Sequence, residues 1–227
     1  VVYSKLNNEK LVKNRFLDLK NLIFLKCPLK KISPTNDQLF KIEMATKFLK
    51  DEWVLLLDGD DLFLEKKLKT LQTLNLNKNK VYLHDHQIIT GKTLSNSTKH
   101  KNYKKLFLYK FLFNDWPEKI NTSSILLSSK TLKNFYKTAN PYQWKYLAID
   151  VQLVLHFYYK NKFVFLSKIL TLKRENINNL DKKYSNYFSK IYWLRRLEQH
   201  NMTEKNSHKK NFFDRVITLF FLKIFIY

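Results

Sequence analysis

Apolar and polar positions along this chain repeat with a period that shifts between that of helices and that of strands. Val1-Val2-Tyr3 reads as the tail of a strand and Ser4 to Asn8 as the loop after it. Glu9 to Leu19 sets Leu11, Val12, Phe16 and Leu19 at helical spacing. Asn21 to Lys26 is a short strand candidate closed by Cys27-Pro28, and a second helix, capped by Thr35 or Asn36, presents Leu39, Phe40, Ile42, Met44, Ala45 and Phe48. Trp53-Val54-Leu55-Leu56-Leu57 is an unbroken apolar run, too short to span a membrane, and predicts a strand buried on both faces. A helix over Leu62 to Leu74 and a loosely alternating strand over Lys80 to Thr90, ending at Gly91, complete the first part. The order β-α-β-α-β-α-β predicts an α/β fold with a mixed, mostly parallel sheet flanked by helical crossovers, followed by a C-terminal helical extension.

Beyond Gly91 the rhythm changes. Lys92 to Lys105 is polar and loop-like, and Leu106 to Phe113 is apolar and aromatic. Ile120 to Ser128 predicts a strand with hydroxyls at its entrance, Thr131 to Tyr136 begins a helix, and Ala148 to Tyr159 is another with Asp150 in its first turn. Lys162 to Leu172 is the last strand, and Tyr184 to His200 is an amphipathic helix. These elements divide into a domain over 1–180, a helical extension over 181–210 and a hydrophobic, basic tail over 211–227. The apolar part of the tail is about half of the ~20 residues that a spanning helix needs, and Lys223 interrupts it. Lys209, Lys210 and Arg215 stand beside it, so the tail fits an in-plane helix on an anionic inner leaflet as well as a helix docked on the core.

Composition changes the picture only a little. The 227 residues carry a formal charge of +23, which on its face suggests nucleic acid or an anionic membrane. The lysines are scattered through every segment, accompanied by asparagine, isoleucine and phenylalanine, and glycine occurs only twice, so the charge reads as compositional bias as much as a patch. The single cysteine, Cys27, precludes an internal disulfide, which fits a reducing compartment, and it is expected to be a small buried hydrophobe.

The chemistry concentrates where the apolar run ends, at Asp58-Gly59-Asp60-Asp61. A buried strand ending in an acidic turn delivers negative charge to the carboxyl edge of an open sheet, where ligands bind. Three acids in four positions repel one another and call for a compensating cation. Hard oxygen ligands suit Mg²⁺ or Mn²⁺, which keep positions open for a substrate phosphate. Gly59 lets a backbone approach whatever is bound. A solvated turn, with Asp60 or Asp61 capping the next helix, is the plain alternative. His84-Asp85-His86 places both histidines on one face of a strand but lacks a third ligand and is expected to be structural. Trp116-Pro117 and Trp144 are expected to pack or to form a sugar platform.

At Asp58-Gly59-Asp60-Asp61 the sequence resembles glycosyltransferases of the GT-A (Rossmann-like) fold, family-2 type, whose D-x-D ends such a strand. The resemblance covers roughly residues 1–180. A helix with a basic residue precedes the motif, as Asp37 to Lys50 does here; a hydroxyl-bearing strand follows, like Asn121-Thr122-Ser123-Ser124-Ile125. An acid opening a helix comes next, here Ile149-Asp150, and a basic residue after the last strand, here Lys173-Arg174, before a loop with Asn176, Asn178 and Asn179. The family's first strand has no counterpart, so the chain is expected to be N-terminally incomplete. The family's acidic pair after its second strand is replaced by Ser4-Lys5-Leu6-Asn7-Asn8, and Ile149 stands where an acid is frequent.

The resemblance implies a metal-dependent, inverting glycosyltransferase. It would move a sugar from a nucleotide-sugar donor to a surface-polysaccharide or lipid-linked acceptor, in the cytoplasm or peripherally on the inner face of the cell membrane. Asp60 would bind Mn²⁺ or Mg²⁺, with Asp58 on the metal or the ribose. Gly59, Asp61, Lys41 and Arg174 would complete the donor site, Thr122 and Ser123 would touch the acceptor, and Asp150 would be the general base. Two rival readings remain. A haloacid-dehalogenase-type phosphatase also begins with a strand and D-x-D, but it expects Thr or Val where Leu62 stands and a late acidic pair that is missing. A basic nucleic-acid-binding module, using Tyr103-Lys104-Lys105 and Phe107 to Phe111, rests on charge alone.

Overall fold

The computed structural model describes residues 2–3, 23, 25–28, 33–90, 93–94, 116–117, 120–175, 186–207 and 211–225. The expectations for Glu9–Leu19, Leu106–Phe113 and the asparagine loop after Arg174 lie outside these residues.

Short strands β1 (Val2–Tyr3) and β2 (Leu25–Lys26) pair in parallel. Helix α1 runs from Pro34 to Thr46. Its cap is Ser33 rather than Thr35 or Asn36: the Ser33 hydroxyl accepts the Asn36 N–H at 3.2 Å, and Pro34 supplies a pre-set first turn. Strand β3 (Trp53–Leu55) follows, then β4 (Leu62–Phe63), α2 (Lys67–Gln72), β5 (Val81–Thr90) and β6 (Thr93–Leu94). A 3₁₀ turn at Thr122–Ser124 opens β7 (Ile125–Ser128), which leads into α3 (Ser129–Ala139), α4 (Ile149–Tyr158), β8 (Phe163–Arg174), α5 (Lys190–Ser207) and α6 (Phe212–Ile224).

The main sheet has the order β3-β7-β5-β8-β4, with β6 paired to β5. It is mixed and flanked by helices, as the GT-A resemblance implies, but it differs in not being mostly parallel. Parallel pairing is confined to β1–β2 and β5–β8, and the other four described pairings are antiparallel. The difference has two sources. Strand β7 inserts between β3 and β5 and runs against both. The chain after the acidic turn does not start a helix at Leu62 but re-enters the sheet as β4, antiparallel to β8, so the expected helix shrinks to Lys67–Gln72.

Strand β3 therefore lies at an edge and is not buried on both faces: Trp53, Val54 and Leu55 are half-buried and Leu57 is 50% exposed.

The two faces of the sheet divide the apolar side chains by alternation. Val81, Leu83, Ile125 and Leu127 pack with Leu39, Leu132, Phe135, Leu153 and Phe157 from α1, α3 and α4. Tyr82, Leu126 and Leu170 face the other way, against Leu71 of α2. A third cluster, Trp144, Leu147, Val151, Leu155 and Met202, joins α4 to α5. Trp144 is thus a packing residue, and Cys27 is buried as expected. Each such large apolar side chain withdrawn from water contributes on the order of 1.5–3 kcal/mol, so the helices are fixed firmly enough to position polar groups between them.

Candidate active site

The four-residue segment Asp58–Asp61 is a turn closed by the Asp61 N–H donating to the Asp58 carbonyl at 3.1 Å. Both of its ends are anchored. The Asp58 N–H donates to the Ser123 hydroxyl at 2.9 Å, and one Asp58 carboxylate oxygen accepts from the Gln38 amide of α1 at 3.1 Å. Asp61 is buried; its carboxylate accepts from the Asn121 amide and from the Arg174 backbone N–H, each at 3.0 Å. One carboxylate therefore ties the turn both to the 3₁₀ entrance of β7 and to the end of β8. That is a more central place than helix capping, which the return into β4 removes.

Lys67, at the start of α2, is almost fully buried beside this carboxylate. It donates to the Ser123 carbonyl at 2.9 Å and to the Thr171 hydroxyl at 3.1 Å, with its ammonium 3.5 Å from the centre of the Phe63 ring. Burial pulls its pKa down to about 7, and the charge of Asp61 opposes that pull.

Asp150, in the first turn of α4, accepts from the Val151 N–H at 2.7 Å and lies near enough for its charge to act on Asp58. Burial, followed by the charges of Asp150 and Asp61, pushes the Asp58 carboxyl up to about 7; a hydrogen bond with Thr122 works the other way, and Asp60 adds a smaller repulsion. Asp58, Asp60, Asp61 and Asp150 thus share one electrostatic environment although they come from two parts of the chain. Such crowding of carboxylates is costly unless a ligand or cation relieves it.

Other expected site residues fall differently. Thr122 and Ser123 are buried, with their hydroxyls directed to the Asp58 turn, so they support the acids instead of lining open space. Arg174 holds the site through its backbone, and its side chain is exposed at the end of β8. Lys41 forms a half-exposed ion pair with Asp37 at 2.6 Å, one helical turn back on α1. Gly59 is exposed, and a Cβ built there would meet nothing within 4 Å, which leaves open space over the turn.

His84, Asp85 and His86 are buried in β5, where the register with β8 slips, and the His84 Nδ1 lies 2.9 Å from the Asp85 carbonyl oxygen. Trp116 packs on His200 and donates to the Thr203 hydroxyl at 2.8 Å. The sequence did not point to Gln38, Asn121 or Lys67 as site residues. Gln38 lies one turn before Lys41 on the same helix, and Lys67 is one lysine among many, distinguished only by its burial.

Among the described residues no three His, Cys, Asp or Glu side chains are grouped to hold a metal ion by themselves. Asp58 and Asp60 are the carboxylates of the turn that could hold a hard dication, with a diphosphate and water as its remaining ligands. An apolar cavity of about 530 Å³ lies beside α2, lined by Trp53, Leu55, Leu71, Leu74, Leu76 and Leu126 among others, and it shares no lining residue with this site.

No protein-family model and no curated protein matches the chain. Among solved structures it is similar to S. aureus TarS in complex with UDP-GlcNAc, with a TM-score of 0.57 and 14% sequence identity. The match covers 97% of this chain but spans only 59% of that one. At that identity the likeness is one of fold: a mixed sheet flanked by helices, shared with a protein that holds a nucleotide sugar.

Proposed function

We propose that this chain is a glycosyltransferase that takes a sugar from a nucleotide-sugar donor and passes it, with inversion, to a surface-polysaccharide or lipid-linked acceptor. What supports this reading is the action of the Asp60 and Asp150 charges on the Asp58 carboxyl, in a fold similar to that of a UDP-GlcNAc-bound protein. Asp58 and Asp60 would hold Mn²⁺ or Mg²⁺, which supplies Lewis-acid neutralisation of the departing diphosphate.

The chain's own residues do the rest. Gln38 and Ser123 fix the orientation of Asp58 by one hydrogen bond each. Arg174, at the end of β8, supplies positive charge to the diphosphate with a fork that matches phosphate oxygens, and Lys41 joins it only on leaving its ion pair with Asp37. Asp150 takes the proton from the acceptor hydroxyl as that oxygen bonds to the anomeric carbon and the bond to the leaving phosphate breaks. A base so placed contributes ~10²–10⁴-fold in rate.

The test is a panel of nucleotide sugars with Mn²⁺ or Mg²⁺, comparing donor binding by calorimetry and transfer for the wild type, Asp60→Ala and Asp150→Asn. Asp60→Ala is expected to abolish metal-dependent donor binding, and Asp150→Asn to spare binding while transfer falls by ~10²–10⁴-fold. Absence of donor binding across the panel, or undiminished binding by Asp60→Ala, overturns the reading.

A further inference from the structure

Helix α6 is buried on one side and apolar on the other. The buried side docks on α5: Asp214, Thr218 and Leu222 are buried, and Phe221 stacks on Trp193 at 4.3 Å and 11°. The Asp214 carboxylate is held by Arg196 at 2.5 Å. The opposite side carries Phe212, Phe213, Val216, Leu219, Phe220 and Ile224, all exposed, Phe212 by 79% and Phe220 by 59%. At about 100° per residue these six occupy an arc of roughly 140°, with Lys223 near its middle. Just before α5, Tyr187 and Phe188 (88%) are exposed as well, and the ring of Phe221 meets that of Phe220 on the exposed face. Tyr187 contacts Tyr192, which contacts Trp193, which stacks on Phe221. An apolar face of this breadth marks an interaction surface.

Charge decides the occupant. Each acid of the two helices is held by a partner within the protein, Asp214 by Arg196, Glu204 by Arg215 at 2.9 Å, and Glu198 by the backbone of Lys145 and Tyr146. Lys190, Lys205 and Lys223 are exposed. A second copy of a +23 chain would bring Lys223 towards its own equivalent, whereas anionic headgroups match it. At 13 residues α6 is only about 20 Å long, and among the described residues no helix is long and apolar enough to cross a membrane. An in-plane contact remains.

The geometry points to the exposed face of α6, with Tyr187 and Phe188, as a docking surface for an anionic lipid bilayer, rings in the acyl boundary and lysines at the phosphates. The surface stands apart from the sugar-transfer reading.

The test is co-sedimentation of the full chain with vesicles of phosphatidylcholine alone or mixed equally with phosphatidylglycerol, without any sugar donor. Wild type is expected to partition at least tenfold more strongly onto the anionic vesicles, and Val216→Ser/Phe220→Ser to lose at least tenfold of that binding. These positions are exposed, and an unchanged thermal melt verifies the fold of the variant. Lys223→Glu, which leaves the apolar face whole, is expected to narrow the preference for anionic over neutral vesicles. Absence of vesicle binding by wild type, equal binding to both vesicle types, or undiminished binding by the serine variant overturns the proposal. So does a dimer in sedimentation velocity that the serine variant dissociates without any vesicle binding.

Discussion

The carboxylate of Glu198, on α5, accepts hydrogen bonds from the backbone N–H groups of Lys145 at 2.9 Å and Tyr146 at 2.7 Å. The loop so held continues through Leu147 and Ala148 into the first turn of α4, where Asp150 stands. The second helix from the end of the chain therefore fixes the entry of the candidate base into the site.

Glu198→Ala is expected to remove about 2 kcal/mol of stability, because two backbone donors lose a charged acceptor. Transfer is expected to fall more than donor binding does, since the loop leads to Asp150 and not to Asp58. Chemical denaturation together with kcat and donor Kd separates the two effects. Equal losses in kcat and donor affinity would mark Glu198 as a general prop.

Asp58→Asn is expected to stabilise the ligand-free protein while eliminating donor binding. The raised carboxyl of Asp58 titrates near 7 in the fold and near 3.8 when unfolded. The unfolded chain releases its proton first, so wild-type stability declines as pH rises from about 4 to about 7 and then levels. The asparagine form lacks that decline and is expected to exceed wild type above pH 7 by on the order of 1–3 kcal/mol, and by progressively less towards pH 4. Urea midpoints measured across that range check the sign.

Asp61 and Lys67 are expected to be coupled. Lys67→Met leaves the buried Ser123 carbonyl and Thr171 hydroxyl without their donor and removes the partial positive charge beside Asp61, a loss of about 1–3 kcal/mol. Asp61→Asn keeps one oxygen acceptor, so only one of the Asn121 amide and the Arg174 backbone N–H retains its partner. The double variant is expected to lose less than the two single changes together, by roughly 0.5–3 kcal/mol. Strict additivity would show that the two groups act separately.

His156, buried in α4, is bonded by Lys160 at 3.0 Å, and burial, then the Lys160 charge, lowers its pKa to about 4. An unfolded histidine takes up its proton near 6.5, so stability is full above that pH and drains away as pH falls towards 4, by about 3 kcal/mol at most. Replacing His156 with Gln should flatten that part of a thermal-stability profile, measured by calorimetry at half-unit steps.

Local order was legible in the sequence wherever one period ran long enough. The helix from Pro34, the strand at Val81–Thr90, the helix carrying Asp150 and the strand reaching Arg174 all lie close to where apolar spacing puts them. The pairing of strands was not legible: β7 could have joined the sheet in either direction, and nothing in Ile125–Ser128 says which. Nor was the fate of the chain after Asp61, because Leu62–Phe63 is too short to show a period.

At the site, the acids were visible as a cluster, but their supports were not. Gln38, Asn121 and Lys67 are defined by partners distant in sequence, and a buried lysine looks in the sequence like any other.

The turn from Asp58 to Asp61 is pinned at its first residue by Ser123 and Gln38 and at its last by Asn121 and Arg174. Only Gly59 and Asp60 lie between those pins. A ligand arriving there has two residues to settle rather than a whole loop, so little conformational freedom is surrendered on capture. On the proposed function, the rim of the sheet is a mould set before the guest arrives, and selectivity between guests falls to whatever stands around it.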